Sequence, residues 1–351
     1  MPRSRAAASL LPRTTADHGL TPISGGGAAL SIGLCAAIVA ASVHEPRVLT
    51  IRLSGRHDED AAEALPSGPL EAEHRTLEIG LRSWVERQTS QRLGYAEQLY
   101  TFGDRDRAVG DGVGDGGPAL PALVVAYLAL AREARPAGAS DAEWRGWYRY
   151  FPWEDWRGGK PVLLDPIEAR LAGWAAKAGD EPLRQLREER LGLAFGRHGA
   201  SWNEELVLER YELLYEAGLV AEAARDLGRP VAALDGAATG VAMALDHRRI
   251  LATAIGRLRG KIKYRPVVFE LMPPAFTLLQ LQRTVEALAG VRLHKQNFRR
   301  LVEQQGLVEE TGQVSAQTGG RPARLVRFRR EVLLERPAPG LRLRSGRRAA
   351  G

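Results

Sequence analysis

The chain has 351 residues, of which 44% are apolar and 26% are charged, and its formal net charge is +7. This length favours two domains, and the apolar fraction is ample for a hydrophobic core. The single cysteine, Cys35, excludes an intrachain disulfide and favours a reducing cytoplasmic compartment, and the longest apolar stretch, residues 30–43, is too short to span a membrane.

The N-terminal part alternates strand patterns with one helical pattern. Residues 1–27 form a predicted disordered tail. We predict strands over residues 31–41, 47–53, 98–102 and 122–130, and a helix over residues 77–88. Residues 103–121 are dense in glycine and aspartate, which predicts a polar loop. This alternation indicates a mixed α/β domain, which we place at residues 28–263.

A segment at about residues 134–244 is a predicted helical insertion in that domain. Its first part is rich in aromatic residues interleaved with arginines. These residues either clamp a nucleotide or pack the insertion onto the core, and we favour the packing role. They are Trp144, Trp147, Tyr148, Tyr150, Phe151, Trp153 and Trp156. We predict that residues 166–225 are mainly helical. One apolar face of these helices is either a dimer surface or part of the core. That face carries Tyr211, Leu214, Tyr215 and Leu219.

A further helix, over residues 246–263, joins the two predicted domains. Its apolar stripe has helical spacing and consists of Leu251, Ile255, Leu258 and Ile262. We predict that its basic residues project toward the C-terminal domain, and these are Arg257, Arg259, Lys261 and Lys263. A signal between the domains would have to pass along this helix.

The C-terminal part has the pattern of a winged helix-turn-helix, at residues 264–336. Thr277 and Gln280 fit a capping box at the start of a helix that stops at Gly290. A second helix, residues 295–305, is followed by two strands around a basic, glycine-rich turn. Residues 337–351 are a predicted basic tail.

Charge supports a nucleic-acid role for this part. Residues 294–351 contain 13 Lys/Arg and 5 Asp/Glu, so they carry +8, and the remainder of the chain sums to about −1. The alternative is an ordinary solvated helix and hairpin. Our candidate DNA contacts are Lys295, Gln296, Asn297, Arg299, Arg300, Arg321 and Arg324.

Motifs in the N-terminal part resemble a Nudix domain. The resemblance rests on residues 65–68, 77–82, 97–104 and 124–128. It aligns Arg82 with the arginine of the Nudix box, while Arg87 and Gln88 fall where the family has metal-binding glutamates. Nudix hydrolysis needs Mg²⁺ held by carboxylates, so the resemblance implies a domain without catalytic residues or metal ligands. Glu78 and Glu86 are nearby carboxylates that a shifted register would recruit instead.

C-terminal motifs extend the resemblance to the NrtR group of Nudix-related regulators of NAD metabolism, nearest to the NadQ-type repressors. The similarity covers about residues 29–131 and 245–330. It implies a DNA-binding repressor of NAD biosynthesis genes that requires no cofactor and senses NAD, ATP or ADP-ribose. Because a single recognition helix reads only a few base pairs, we expect a homodimer that binds double-stranded DNA at a palindromic operator. The candidate ligand contacts are Arg82, Asp104, Arg105 and Arg107. The alternatives are a diphosphate hydrolase acting on ADP-ribose or NAD, and an RNA-associated scaffold.

Overall fold

The computed structural model describes residues 31–53, 62–108, 121–132, 142–227, 239–315, 322–336, 339–341 and 347–348. The predicted disordered tail and the turn of the wing, with Arg321, lie outside these ranges. Within them, no helix combines the length and the apolar character that a membrane crossing requires.

A seven-stranded mixed sheet forms the centre of the N-terminal domain. Its strands are β1 (Ser31–Ala41), β2 (Pro46–Leu53), β3 (Ala62–Ala64), β4 (Ser67–Pro69), β5 (Tyr95–Ala108), β6 (Pro121–Leu130) and β7 (Glu143–Gly146). The strand order is β3-β2-β1-β6-β5, with β4 paired to β1 and β7 paired to β2. The central pair β1 and β6 is parallel, and β5 pairs with β6 in the antiparallel sense. The predicted mixed α/β domain is confirmed.

Both faces of β1 are covered. Leu34 and Ile38 belong to one hydrophobic cluster, and Cys35 and Val39 to another. Alternate side chains point to opposite faces of a strand, so a strand covered on both sides is a continuous apolar run. This explains the longest apolar stretch of the chain as a buried strand.

One face of the sheet is covered by helix α1 (Leu77–Thr89). The Thr76 hydroxyl caps its start by accepting from the Ile79 N–H, and Leu81 and Val85 are buried under the sheet. The predicted helix over residues 77–88 is therefore confirmed.

The predicted polar loop at residues 103–121 is partly wrong. Residues 103–108 belong to β5, where Asp104 lies opposite Ala122 and Ala108 opposite Pro121. Backbone pairing to β6 at residues 103, 104 and 108 does not depend on their side chains, so charge and glycine content did not mark a loop there. Residues 109–120 lie outside the described ranges.

The insertion covers the other face of the sheet. It contains α2 (Leu164–Ala176), α3 (Glu181–Phe195), β8 (Ser201–Trp202), α4 (Val207–Glu216) and α5 (Ala221–Leu227). Its aromatic segment is core, because Trp147, Phe151 and Trp153 have no exposed surface. The packing interpretation is confirmed. The apolar face with Tyr211 and Leu214 is core as well.

Helix α6 (His247–Tyr264) joins the domains, and its predicted apolar stripe is fully buried. Only part of the prediction for its basic side chains is confirmed. Arg259 reaches the C-terminal domain. Lys261 instead contacts Glu97 of β5, and Lys263 pairs with Glu205 of the insertion at 2.5 Å. Both lysines thus pair with carboxylates outside the C-terminal domain.

A winged helix follows α6. Its elements are α7 (Leu278–Ala289), α8 (Lys295–Gln304), β9 (Val308–Ser315), β10 (Ala323–Phe328) and α9 (Val332–Glu335). The capping box of Thr277 and Gln280 is present, and Gly290 ends α7 in the left-handed conformation at φ 71°. Part of the predicted basic tail returns to the body, because Leu341 is buried and its N–H donates to Ile262 O.

Candidate functional site

Helix α8 presents the predicted DNA-binding side chains to solvent. Phe298 and Val302 face inward and are buried in the core. The polar side chains on the remaining surface are exposed, and they include Lys295, Gln296, Asn297, Arg299 and Arg300. The structure therefore places these five side chains where a duplex would reach them, and their role in DNA contact stays a prediction.

A groove of about 780 Å³ runs between α8, the first turn of α7 and the strands of the wing. The structure brings Lys295, Arg299 and Arg324 together along this groove. Glu310 also lines it and pairs with Arg324 at 2.6 Å. Long cationic donors in a groove suit phosphate oxygens and base edges. Gln296, Asn297 and Arg300 lie on α8 outside the lining of this groove.

A buried carboxylate organises the turn between α7 and α8. Glu286 is 4% exposed and accepts from the Leu293 N–H at 3.0 Å, from Gln282 at 2.9 Å and from Arg292 at 3.0 Å. Charge-assisted hydrogen bonds of this kind are stronger than neutral ones. Sequence reasoning missed Glu286 and Gln282, although polar residues beside the apolar stripe of α7 were a usable signal.

In the N-terminal domain, Arg82 joins α1 to the segment that leads into β5. Its guanidinium donates to the Glu78 carboxylate at 2.8 Å and to the carbonyls of Leu93 and Gly94. Asp104, Arg105 and Arg107 lie on β5, and the structure describes their backbone only. The ligand role of these four residues stays a prediction.

The positions aligned with the metal-binding glutamates hold packing contacts. The Arg87 guanidinium lies 3.9 Å from the centre of the Trp84 ring and 3.0 Å from Glu71. The Gln88 amide accepts from the Ser67 N–H at 3.0 Å and donates to the Ser67 carbonyl at 2.9 Å. Both side chains thus bind α1 to the segment around β4.

The two carboxylates that a shifted register would recruit, Glu78 and Glu86, are each paired with an arginine. Glu78 pairs with Arg82 at 2.8 Å, and Glu86 pairs with Arg92 at 3.0 Å. Among the described residues, no group of three or more His, Cys, Asp or Glu side chains is arranged to hold a metal ion.

Comparison with known proteins identifies the C-terminal domain. Residues 268–328 match the model of the NrtR DNA-binding winged helix domain. The ADPR responsive transcriptional repressor NtrR of Acinetobacter baylyi is 45% identical over 86 residues, which are 24% of this chain and 34% of that protein. The chain thus matches about a third of the length of this curated relative.

The fold extends the likeness over most of the chain. The crystal structure of Shewanella oneidensis NrtR complexed with a 27mer DNA matches with a TM-score of 0.50 and 19% identity. The match covers 86% of this chain and 94% of that chain. The predicted architecture, a mixed-sheet α/β domain followed by a winged helix, is confirmed, and so is the resemblance of the C-terminal domain to the NrtR group.

Proposed function

We propose that the protein is a transcriptional repressor of the NrtR type, which binds duplex DNA through the winged helix and responds to ADP-ribose through the Nudix-like domain. One observation carries the proposal: α8 exposes Lys295, Arg299 and Arg300 within a domain that matches the NrtR winged helix model. The target genes of the proposal are those of NAD biosynthesis, as the resemblance to the NrtR group implies.

ADP-ribose is the effector that the proposal favours over NAD and ATP. The Acinetobacter baylyi relative is named as an ADPR responsive repressor. Its similarity covers 24% of this chain. Calorimetry with ADP-ribose, NAD and ATP would rank the three.

The proposed Nudix-like domain binds its ligand without hydrolysing it. Arg87 and Gln88 stand at the positions aligned with the metal-binding glutamates, and both are engaged in packing. A cation at a carboxylate position repels Mg²⁺, so water activation is not supported there. We therefore expect no Mg²⁺-dependent release of AMP from ADP-ribose. Such release at enzymatic rates would favour the hydrolase alternative.

Regulation of DNA binding by ADP-ribose requires that ADP-ribose bind the DNA-binding arrangement and the non-binding arrangement with different affinities, because equal affinity for both shifts nothing. An operator selected from a random duplex library is titrated with the protein, with and without ADP-ribose. We expect ADP-ribose to weaken operator binding about 5–150-fold, the usual range of coupling between two sites. Absence of ADP-ribose binding at millimolar concentration would remove the sensor role.

A homodimer on a palindromic operator completes the proposal. One recognition helix contacts only a few base pairs, and two-fold symmetry doubles the site. Sedimentation of the free protein and of its operator complex tests this. A monomer in both states would contradict it.

A further inference from the structure

The segment of residues 287–293, which is the end of α7 and the turn that follows it, is docked on the rest of the molecule. Three of its backbone carbonyls accept hydrogen bonds from outside the winged helix: Ala287 O from the Tyr148 hydroxyl at 2.6 Å, Leu288 O from Arg259 Nε at 3.0 Å, and Gly290 O from the Trp156 N–H at 2.7 Å. Tyr148 and Trp156 belong to the insertion and Arg259 to α6. The carbonyls at the end of α7 therefore accept hydrogen bonds from both the insertion and α6.

A buried ion cluster fixes the donors of this docking contact. The Glu154 carboxylate contacts Arg259 Nη1 at 2.6 Å and Arg210 at 2.5 and 2.9 Å. All three side chains are at most 2% exposed. Arg259 also donates to the carbonyl of Glu204 and lies 3.3 Å from the Tyr148 hydroxyl. The insertion, α6 and the end of α7 thus share one buried hydrogen-bonded cluster.

The backbone approach at Gly290 supports the same conclusion. A Cβ atom added at Gly290 would overlap the backbone oxygen of Glu154, and it would crowd Arg259 and Tyr148. The turn reaches the cluster this closely only because residue 290 has no side chain.

We propose that the insertion serves as the platform that sets the orientation of α8 for base recognition, with Tyr148 and Arg259 as positioning residues. The inference rests on the proposed DNA-binding function. It assigns a role to the part of the insertion that follows β7, which is not paired in the seven-stranded sheet. Both residues act through the backbone of the turn, and neither side chain contacts DNA in this proposal.

The expected signature is a loss of specificity rather than of all DNA binding. Phosphate contacts tolerate a small rotation of a recognition helix, whereas hydrogen bonds to base edges depend on its position. Loosening the turn therefore lowers affinity for the operator and leaves affinity for unrelated duplex nearly unchanged. A purely structural role would lower thermal stability without changing the ratio of these two affinities.

The test is Tyr148→Phe in the full-length chain, which removes one hydroxyl and leaves the buried ring. Tyr215→Phe is the matched control, because Tyr215 donates to Asp226 at 3.0 Å within the insertion. Operator and non-operator affinities are measured by fluorescence anisotropy at one salt concentration, and melting temperatures are measured in parallel. We expect about a 2–10-fold fall in the operator to non-operator ratio for Tyr148→Phe. We expect no change in that ratio for Tyr215→Phe.

Arg259→Lys is the second variant, since it keeps a cation beside Glu154 and loses the guanidinium fork. We expect a larger fall in the ratio than for Tyr148→Phe. Unchanged ratios in Tyr148→Phe and in folded Arg259→Lys would overturn the inference. Failure of the unmodified protein to prefer any duplex would instead remove the proposed function on which the inference rests.

Discussion

Glu154 shows how two guanidiniums keep a buried carboxylate ionised. Burial by itself would raise the pKa of this carboxyl, but Arg210 and Arg259 outweigh burial and hold the pKa below its ordinary value. A carboxyl with a lowered folded-state pKa contributes stability above its unfolded-state pKa and loses it as the pH falls through the folded-state pKa. The fold therefore favours the ionised form of Glu154 over its protonated form at neutral pH.

The first prediction concerns the charge of Glu154. We expect Glu154→Gln to lower the free energy of unfolding by about 3–5 kcal/mol at pH 7, because two buried arginines lose their counter-charge. Denaturant titration measures this. The difference from the unmodified protein should shrink below about pH 4, the unfolded-state pKa of a glutamate. Glu78→Gln, at an exposed ion pair, serves as the control with a change within about 1 kcal/mol.

The second prediction concerns the exposed arginines of α8. Arg299→Ala or Arg300→Ala should cost about 1–3 kcal/mol of operator binding if the arginine contacts a base edge, and should relax the preference for that base. Binding to a set of single-base operator variants measures both effects. Arg92→Ala, at an exposed residue paired with Glu86 outside the winged helix, is the control. If Arg299→Ala and Arg300→Ala bind the operator as tightly as the Arg92→Ala control, α8 is not the recognition surface.

At the scale of elements, local signals in the sequence were sufficient for α7 and insufficient for β5. The capping box of Thr277 and the glycine at residue 290 mark both ends of α7 by chemistry within a few residues. The extent of β5 depends on its pairing with β6, and its charged residues gave no local sign of that pairing. The docking of Tyr148 on Ala287 joins residues 139 positions apart, which no spacing pattern records.

The third prediction separates backbone strain from the close approach at the end of α7. Gly290 and Gly306 both have positive φ, at 71° and 55°. Alanine in that conformation costs about 1–2 kcal/mol, and we expect this loss for Gly306→Ala, whose nearest neighbour is a flexible Arg329 side chain. Gly290→Ala should cost about 1–3 kcal/mol more, because its Cβ would meet the backbone of Glu154. Equal destabilisation of the two variants in denaturant titrations would contradict the docking contact.

At the scale of the whole molecule, positive charge is concentrated in the C-terminal part. Residues 294–351 carry +8 and the remaining residues about −1, so the body contributes almost no attraction to a polyanion. The sequence predicted this division and the two-domain fold. The domain bounds stay a prediction, and the hydrogen bond from the Leu341 N–H to Ile262 O shows that residue 341 also contacts α6.

The fourth prediction follows from that distribution of charge. Cations that replace counterions on DNA make the logarithm of the binding constant fall linearly with the logarithm of salt concentration, with a slope of about −0.9 for each phosphate contacted. Six phosphate contacts would give a slope of about −5, which a salt titration of operator binding measures. Arg324→Ala, in the groove beside α8, should reduce the magnitude of the slope by about 1 and weaken all duplexes alike, because it removes one phosphate contact. Tyr148→Phe should leave the slope unchanged while it lowers specificity, since it displaces the helix and removes no charge. A slope near zero for the unmodified protein would show that the basic segment does not bind DNA through its charge.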